Sequence, residues 1–141
     1  MNLDMITEMW EKDSKIDTIL LDEASLKIPQ LHQKYLTLHN EFSLLCKKTK
    51  QQLATLQHSK WLYYSGKAPP DQYEERPFHH RVIKSDVIHW VQVDEDIQKL
   101  ELKVDYYETI INTLNEIMKQ VHQMSYNIKN AIQWRQFSTG L

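Results

Sequence analysis

The C-terminal third of the sequence carries a heptad pattern that strongly favours one long helix. Its apolar residues recur at alternating intervals of three and four, and a second row repeats every seven residues beside them. The first row is Ile97, Leu100, Val104, Tyr107, Ile111, Leu114, Met118 and Val121, and the second is Ile110, Ile117, Met124 and Ala131. A helix with two adjacent apolar rows packs against more than one neighbour. We therefore predict a helix over residues 94–141, with Asp94 as its N-cap.

A second long helix is predicted within residues 25–66. The residues that repeat at intervals of four and three in it are Leu31, Tyr35, Leu38, Phe42 and Leu45. Pro29 suits a first helical turn, and Gly66 followed by Pro69 and Pro70 marks an end near Tyr64. Because one connection joins the two helices, we expect an antiparallel hairpin with coiled-coil-like packing.

The remaining segments complete an all-α prediction. Only 2 glycines and 4 prolines occur in 141 residues, which disfavours a many-stranded fold. We predict one helical domain over residues 1–141, with a short N-terminal helix and linker in 1–24. Residues 67–93 are predicted to form an irregular loop, in which the alternation from Val87 to Val93 fits a short extended segment or the start of the next helix.

The double apolar row also predicts self-assembly. One short N-terminal helix is expected to be too small to cover two long helices, so the second row needs another chain. The interpretation is a homo-oligomer larger than a dimer, and the alternative is a core formed within one chain. The predicted oligomerisation residues are Ile110, Leu114, Ile117, Val121, Met124 and Ile128.

No sequence motif indicates an enzyme. The chain has no Gly-rich phosphate loop, no G-x-S-x-G, no H-E-x-x-H and no C-x-x-C. Its single cysteine, Cys46, lies in a helical stretch, and His79-His80 has no second pair at ligand spacing. We expect no cofactor and no metal. No segment approaches the roughly 20 apolar residues of a membrane span, so we expect a soluble cytoplasmic protein.

The segment HSKWLYYSGK, from His58 to Lys67, alternates basic and aromatic residues. Cations that follow phosphates and aromatic faces that stack on unpaired bases are typical of single-strand binding. The alternative is that these aromatic residues pack at the end of the hairpin. The candidate DNA-binding residues are His58, Lys60, Trp61, Tyr63, Tyr64 and Lys67, followed by Lys47, Lys48, Lys50, Arg81 and Lys84.

The sequence resembles the UvsY recombination mediators of tailed phages. The most specific similarities are the K-x-x-Y-Y-S-G-K block from Lys60 to Lys67 and the R-x-F-x-x-G pattern from Arg135 to Gly140. The resemblance implies a ring-like homo-oligomer that binds single-stranded DNA and helps a RecA-like recombinase displace a single-strand-binding protein in an infected host cell. It implies a DNA-binding pair at Lys60 and His58, although a histidine is mostly neutral at pH 7. A structural coiled-coil adaptor that binds only protein is the competing hypothesis.

Overall fold

The computed structural model describes residues Met1–Gly140, which form five helices and no strand. The helices are α1 (Leu3–Asp13), α2 (Leu21–Tyr64), α3 (Pro70–Glu75), α4 (Val87–Gln92) and α5 (Glu95–Ser138). Helices α2 and α5 each contain 44 residues, and they form the predicted hairpin. The all-α prediction is therefore confirmed, whereas the ring-like oligomer stays a prediction.

The start of α2 differs from the prediction. The helix begins at Leu21 and continues through Pro29, which lies inside it. Upstream, the Asp17 carboxylate accepts hydrogen bonds from the amides of Ile19 and Leu20 at 2.9 and 3.4 Å. Leu21 is buried, and the acidic residues Asp22 and Glu23 in the first turn interact favourably with the helix dipole. These contributions offset the loss of one backbone hydrogen bond at Pro29. Local sequence preference alone would place this proline in the first turn of the helix.

The end of α2 confirms the predicted glycine cap. Gly66 has a φ of 78°, a left-handed conformation that side chains disfavour. Its amide donates to the carbonyl of Tyr63 at 3.2 Å, and the amide of Lys67 donates to the carbonyl of Leu62 at 2.9 Å. This pair of bonds is a Schellman motif, which satisfies carbonyl groups that the helix end would otherwise leave free.

The loop prediction for residues 67–93 was wrong in two places. Pro70 starts the short helix α3, because proline is suited to a first turn. Residues 87–92 form α4, a separate helix before α5, so of the two alternatives for this segment the helical one is the nearer and the extended one is wrong. Val87 and Val91 are both buried, four residues apart on one face of α4. A helical interval therefore decides the packing of this segment, although its sequence also alternates.

The chain divides into two compact units. The terminal unit consists of residues 1–43 together with the chain from Thr109 onward, and the central unit is Leu44–Glu108. Helix α2 runs from the terminal unit into the central one, and α5 returns. The prediction of a single domain over residues 1–141 stays a prediction.

The terminal unit buries most of the predicted oligomerisation residues within one chain. Five of its side chains have no exposed area, and Ile128 is 2% exposed. The five are Ile6, Tyr35, Ile110, Leu114 and Val121. Ile117 is also buried, and Met124 is half-buried. The expectation that this row lies open for a second chain is therefore wrong for these buried residues. The physical reason is that the terminal unit of one chain, which includes α1 with its fully buried Ile6, is large enough to bury these side chains without a second subunit.

Polar contacts hold the N-terminal segment in the terminal unit. The Asp13 carboxylate accepts from the Lys34 ammonium at 2.6 Å and from the Tyr35 hydroxyl at 2.8 Å. The Tyr35 ring also packs edge-to-face on Trp10, with centroids 5.5 Å apart. Further along the linker, the Arg135 guanidinium donates to the carbonyl of Thr18. Helix α1, which is too short to be stable alone, is thereby fixed by tertiary contacts.

Candidate nucleic-acid interface

The central unit contains an aromatic cluster built around the end of α2. Tyr63 and Tyr64 are 5% and 4% exposed. Tyr63 stacks on Tyr73 with centroids 5.2 Å apart, and Tyr64 meets Phe78 at 5.0 Å and Trp90 at 5.8 Å. The segment predicted as a loop thus folds over both tyrosines. Their ring faces are covered in this structure, which corrects the expectation that they lie open to bases.

Backbone carbonyls and amides reinforce the same cluster. The Tyr73 hydroxyl donates to the carbonyl of Tyr63 at 2.8 Å and accepts from the amide of Ala68 at 3.3 Å. The Tyr63 hydroxyl donates to the carbonyl of Arg76 at 2.7 Å. Each buried hydroxyl therefore has a partner, as burial requires.

Asp94 is the centre of a buried polar network beside this cluster. Its Oδ1 accepts from the amides of Asp96 and Ile97 at 2.9 and 3.3 Å, which confirms the predicted N-cap. Its Oδ2 accepts from the Tyr64 hydroxyl at 2.6 Å and lies 3.2 Å from Arg76 Nη1. The side chain has no exposed area, so each oxygen depends on these partners for its hydrogen bonds.

The network shifts the ionisation of both Asp94 and Tyr64. Burial alone raises the pKa of the Asp94 carboxyl, but the Tyr64 hydroxyl, the Lys60 charge and two backbone amides outweigh burial and hold it below its ordinary value. Burial and then the adjacent Asp94 carboxylate raise the pKa of Tyr64 to about 12, against the opposing effect of Arg76. Asp94 is therefore ionised and Tyr64 is a hydrogen-bond donor at neutral pH.

Lys60 belongs to the same network rather than to an open cationic surface. Its ammonium lies 2.9 Å from Asp96 Oδ2 and 3.4 Å from Asp94 Oδ2. The Lys60 side chain is only 14% exposed. A phosphate could reach this charge only in competition with two carboxylates.

Trp61 and Lys67 form the more accessible pair of the segment. The Lys67 ammonium lies 5.2 Å from the centre of the Trp61 ring, within cation–π distance. Lys67 is exposed and Trp61 is half-buried. Trp61 also lines an open groove of about 360 Å³, whose other lining residues include Gln57, His58, Ile88 and Gln92. The structure brings His58, Trp61 and Lys67 to one end of α2.

The remaining candidate cations are exposed but dispersed. Lys47 and Lys48 lie on α2, and Lys48 lines a shallow groove with Gln52 and Ser59. Lys50 forms an ion pair with Glu108 at 2.8 Å, and this hydrogen bond raises the pKa of the lysine.

Arg81 and Lys84 lie in the exposed segment before α4. The sequence pattern did not identify Arg76, because its role depends on the segment folding back toward Tyr64.

Other kinds of site are not evident in the part of the chain that the structure describes. Within Met1–Gly140, no group of histidine, cysteine or acidic side chains is arranged to hold a metal ion. Cys46 is buried. None of the described helices is long and apolar enough to cross a membrane.

Comparison with known protein families identifies the family of this chain. The family profile described as "Recombination, repair and ssDNA binding protein UvsY" matches residues 9–141. This chain belongs to the UvsY family. A comparison with curated protein sequences finds no match.

Solved UvsY structures share the fold. A crystal structure of the bacteriophage T4 recombination mediator protein UvsY, lattice type II, superposes with a TM-score of 0.87 at 21% identity, covering 99% of this chain and 98% of that one. The lattice type IV structure of the T4 protein gives 0.86 at 19% identity, covering 98% and 99%. At these identities the likeness establishes the UvsY fold for nearly the whole chain.

Proposed function

We propose that this chain is a recombination mediator that binds single-stranded DNA and promotes loading of a RecA-like recombinase onto DNA covered by single-strand-binding protein. The supporting observation is the family match over residues 9–141, whose description names recombination, repair and ssDNA binding. The T4 protein with the same fold is a recombination mediator. The chain would act without catalysis or cofactor, as a homo-oligomer larger than a dimer, in the cytoplasm of the infected host cell.

The DNA contact in this proposal centres on Trp61 and Lys67. An exposed cation–π contact contributes about 0.5–1 kcal/mol, whereas stacking of a base on an aromatic side chain contributes about 1–3 kcal/mol. A base can therefore replace the Lys67 ammonium over the Trp61 ring, and the released ammonium can pair with a phosphate. Tyr63 and Tyr64 would hold Trp61 in position, since Trp61 packs against the buried cluster to which both tyrosines belong.

Lysines along α2 would extend the contact with the DNA backbone. Lys47 and Lys48 are exposed, and Lys48 shares a groove with Ser59, one residue before Lys60. At 1.5 Å per residue, the helix carries Lys48 about 18 Å from Lys60, a distance that a few extended nucleotides can span. Arg81 and Lys84 are the next cations available to a longer strand.

The adaptor hypothesis is favoured by one structural observation. Burial of Tyr63 and Tyr64 and pairing of Lys60 leave fewer free groups for DNA than the sequence pattern suggested. An adaptor would bind the recombinase or the single-strand-binding protein without contacting DNA itself.

Two measurements separate these functions. Fluorescence anisotropy of a labelled single-stranded oligonucleotide should rise on titration with the protein, with an affinity that weakens as salt is added. In a second assay, the protein should shorten the delay before a RecA-like recombinase hydrolyses ATP on single strands precoated with single-strand-binding protein. A shortened delay without direct DNA binding would favour the adaptor. The absence of both effects would overturn the mediator proposal.

A further inference from the structure

Lys60 is held by an acidic residue that is itself open to solvent. Asp96 Oδ2 lies 2.9 Å from the Lys60 ammonium, and the Asp96 side chain is 64% exposed. Asp94, the second carboxylate near Lys60, is fully covered and lies farther away, at 3.4 Å. The two acids therefore differ in what they can do when another anion approaches.

Asp94 cannot readily release its partners. One of its oxygens accepts two backbone amides of α5, and the other accepts from Tyr64 and Arg76. Asp96 can release its partner, because its exposed carboxylate can rotate into water at little cost. Water solvates the Asp96 carboxylate well once it has turned away from Lys60, so its release costs little.

We propose that Asp96 is a negative determinant of DNA affinity, which competes with a DNA phosphate for the Lys60 ammonium. This inference rests on the proposed single-strand binding. In the free protein Asp96 occupies Lys60, and in the complex a phosphate oxygen replaces the Asp96 carboxylate. The exchange swaps one charge-assisted contact for another and makes Lys60 a conditional rather than a permanent DNA contact.

The surroundings of Lys60 allow such an exchange. Lys60, Arg76 and Asp96 line the same open notch of about 510 Å³. The Arg76 side chain is 54% exposed and provides a second cation there, while Glu75 provides an opposing acid. A phosphate that displaced Asp96 would therefore meet Lys60 and Arg76 together.

The test is a single-strand titration of the full chain carrying Asp96→Asn, compared with Glu95→Gln. Glu95 is the adjacent exposed acid in the first turn of α5, and it forms no ion pair with any residue of Met1–Gly140. Both variants lose one negative charge at nearly the same place, so nonspecific repulsion changes equally. Only Asp96→Asn removes the nearer and exposed carboxylate beside Lys60. The double variant Asp96→Asn/Lys60→Ala removes the cation that is to be freed.

Asp96→Asn should bind an oligonucleotide about two- to five-fold more tightly than the Glu95→Gln control, a modest gain because the Asp96 carboxylate is the exposed partner of the ion pair. Its slope of log affinity against log salt should steepen by up to about 0.7 for each Lys60 that Asp96 still keeps from phosphate in the parent complex. The additional affinity should vanish in Asp96→Asn/Lys60→Ala. Thermal unfolding of each variant establishes that the chain remains folded.

Several outcomes would overturn the inference. Equal gains from Asp96→Asn and Glu95→Gln would show bulk electrostatics, and an affinity of Asp96→Asn no higher than that of the parent protein would show no competition. Both results leave DNA binding by the parent protein intact, so the proposed function would stand. If no variant binds single strands, the inference and the direct DNA binding in the proposed function fail together.

Discussion

The Tyr64 hydroxyl donates a 2.6 Å hydrogen bond to the buried carboxylate of Asp94, 30 residues further along the chain. Tyr64 is the last residue of α2, and Asp94 immediately precedes α5. The bond thus joins the end of one long helix to the start of the other. Because the same carboxylate caps α5, the helix end and the aromatic cluster depend on one another.

Replacing Asp94 should destabilise the chain strongly. Asp94→Ala removes the cap and leaves the Tyr64 hydroxyl and the largely buried Lys60 charge without this partner. Breaking a buried charge network of this kind costs about 3–5 kcal/mol. Urea unfolding should show the loss, whereas Glu95→Ala, at an exposed site one residue later, should change the free energy of unfolding by less than about 0.5 kcal/mol. Equal effects of the two substitutions would refute the network's role.

The lowered pKa of Asp94 predicts a specific acid response. A carboxyl whose pKa is lower in the folded chain than in the unfolded chain stabilises the fold above the unfolded pKa, near 4. That stabilisation is lost as pH falls through the lower folded value. Asp94→Asn can still cap α5 but carries no charge, so its free energy of unfolding should fall less steeply below about pH 4. Urea unfolding between about pH 6 and 2.5 checks this, and parallel curves would contradict it.

Tyr64→Phe should affect stability more than DNA binding. The substitution keeps the ring packing against Phe78 and Trp90 but removes the hydroxyl that Asp94 accepts from. Leaving one buried acceptor with fewer partners costs about 1–3 kcal/mol. Single-strand affinity should remain near that of the parent protein, because the ring is covered. A loss of affinity with unchanged urea unfolding would instead indicate a direct contact between Tyr64 and DNA.

Trp61 and Lys67 should differ in how they contribute to DNA binding. Trp61→Ala should weaken single-strand affinity by about 1–3 kcal/mol with little change in salt dependence, because it removes stacking. Lys67→Ala should reduce the slope of log affinity against log salt by about 0.7 for each engaged subunit. Lys99→Ala, an exposed lysine on α5 in the same unit, is the matched control. If Lys99→Ala changes the slope as much as Lys67→Ala, the assignment is wrong.

Folding and assembly should depend on different residues of α5. Leu114 is fully buried, and Leu114→Ala should lower the free energy of unfolding by about 2–5 kcal/mol. Trp134 and Phe137 are 68% and 76% exposed, with ring centroids 5.7 Å apart. If this end of α5 carries assembly, Trp134→Ala/Phe137→Ala should lower the mass measured by light scattering while the circular dichroism stays unchanged. An unchanged oligomer would exclude these two aromatic residues from the subunit contact.

The sequence alone predicted the features that depend on neighbouring residues. The glycine cap at Gly66, the N-cap at Asp94 and the two long helices follow from hydrogen bonds and apolar intervals within a few turns. The start of α2 was misplaced because the burial of Leu21 outweighs the local preference of Pro29. The sequence left residues 87–92 undecided between an extended segment and a helix, because so short a segment fits two periods equally well.

Only the tertiary structure decided which candidate residues are free to bind. In the sequence Lys60 looks like a free cation, but its ammonium pairs with Asp96. Tyr64 looks like an open stacking face, but its hydroxyl bonds to Asp94 and its ring packs against Phe78. The row from Ile110 to Ile128 looks like a subunit contact, but most of its side chains are buried within the same chain. Apolar intervals show that a face must be buried, and they carry no information on which segment buries it. That choice depends on contacts between residues far apart in the chain, which form only when the whole unit packs.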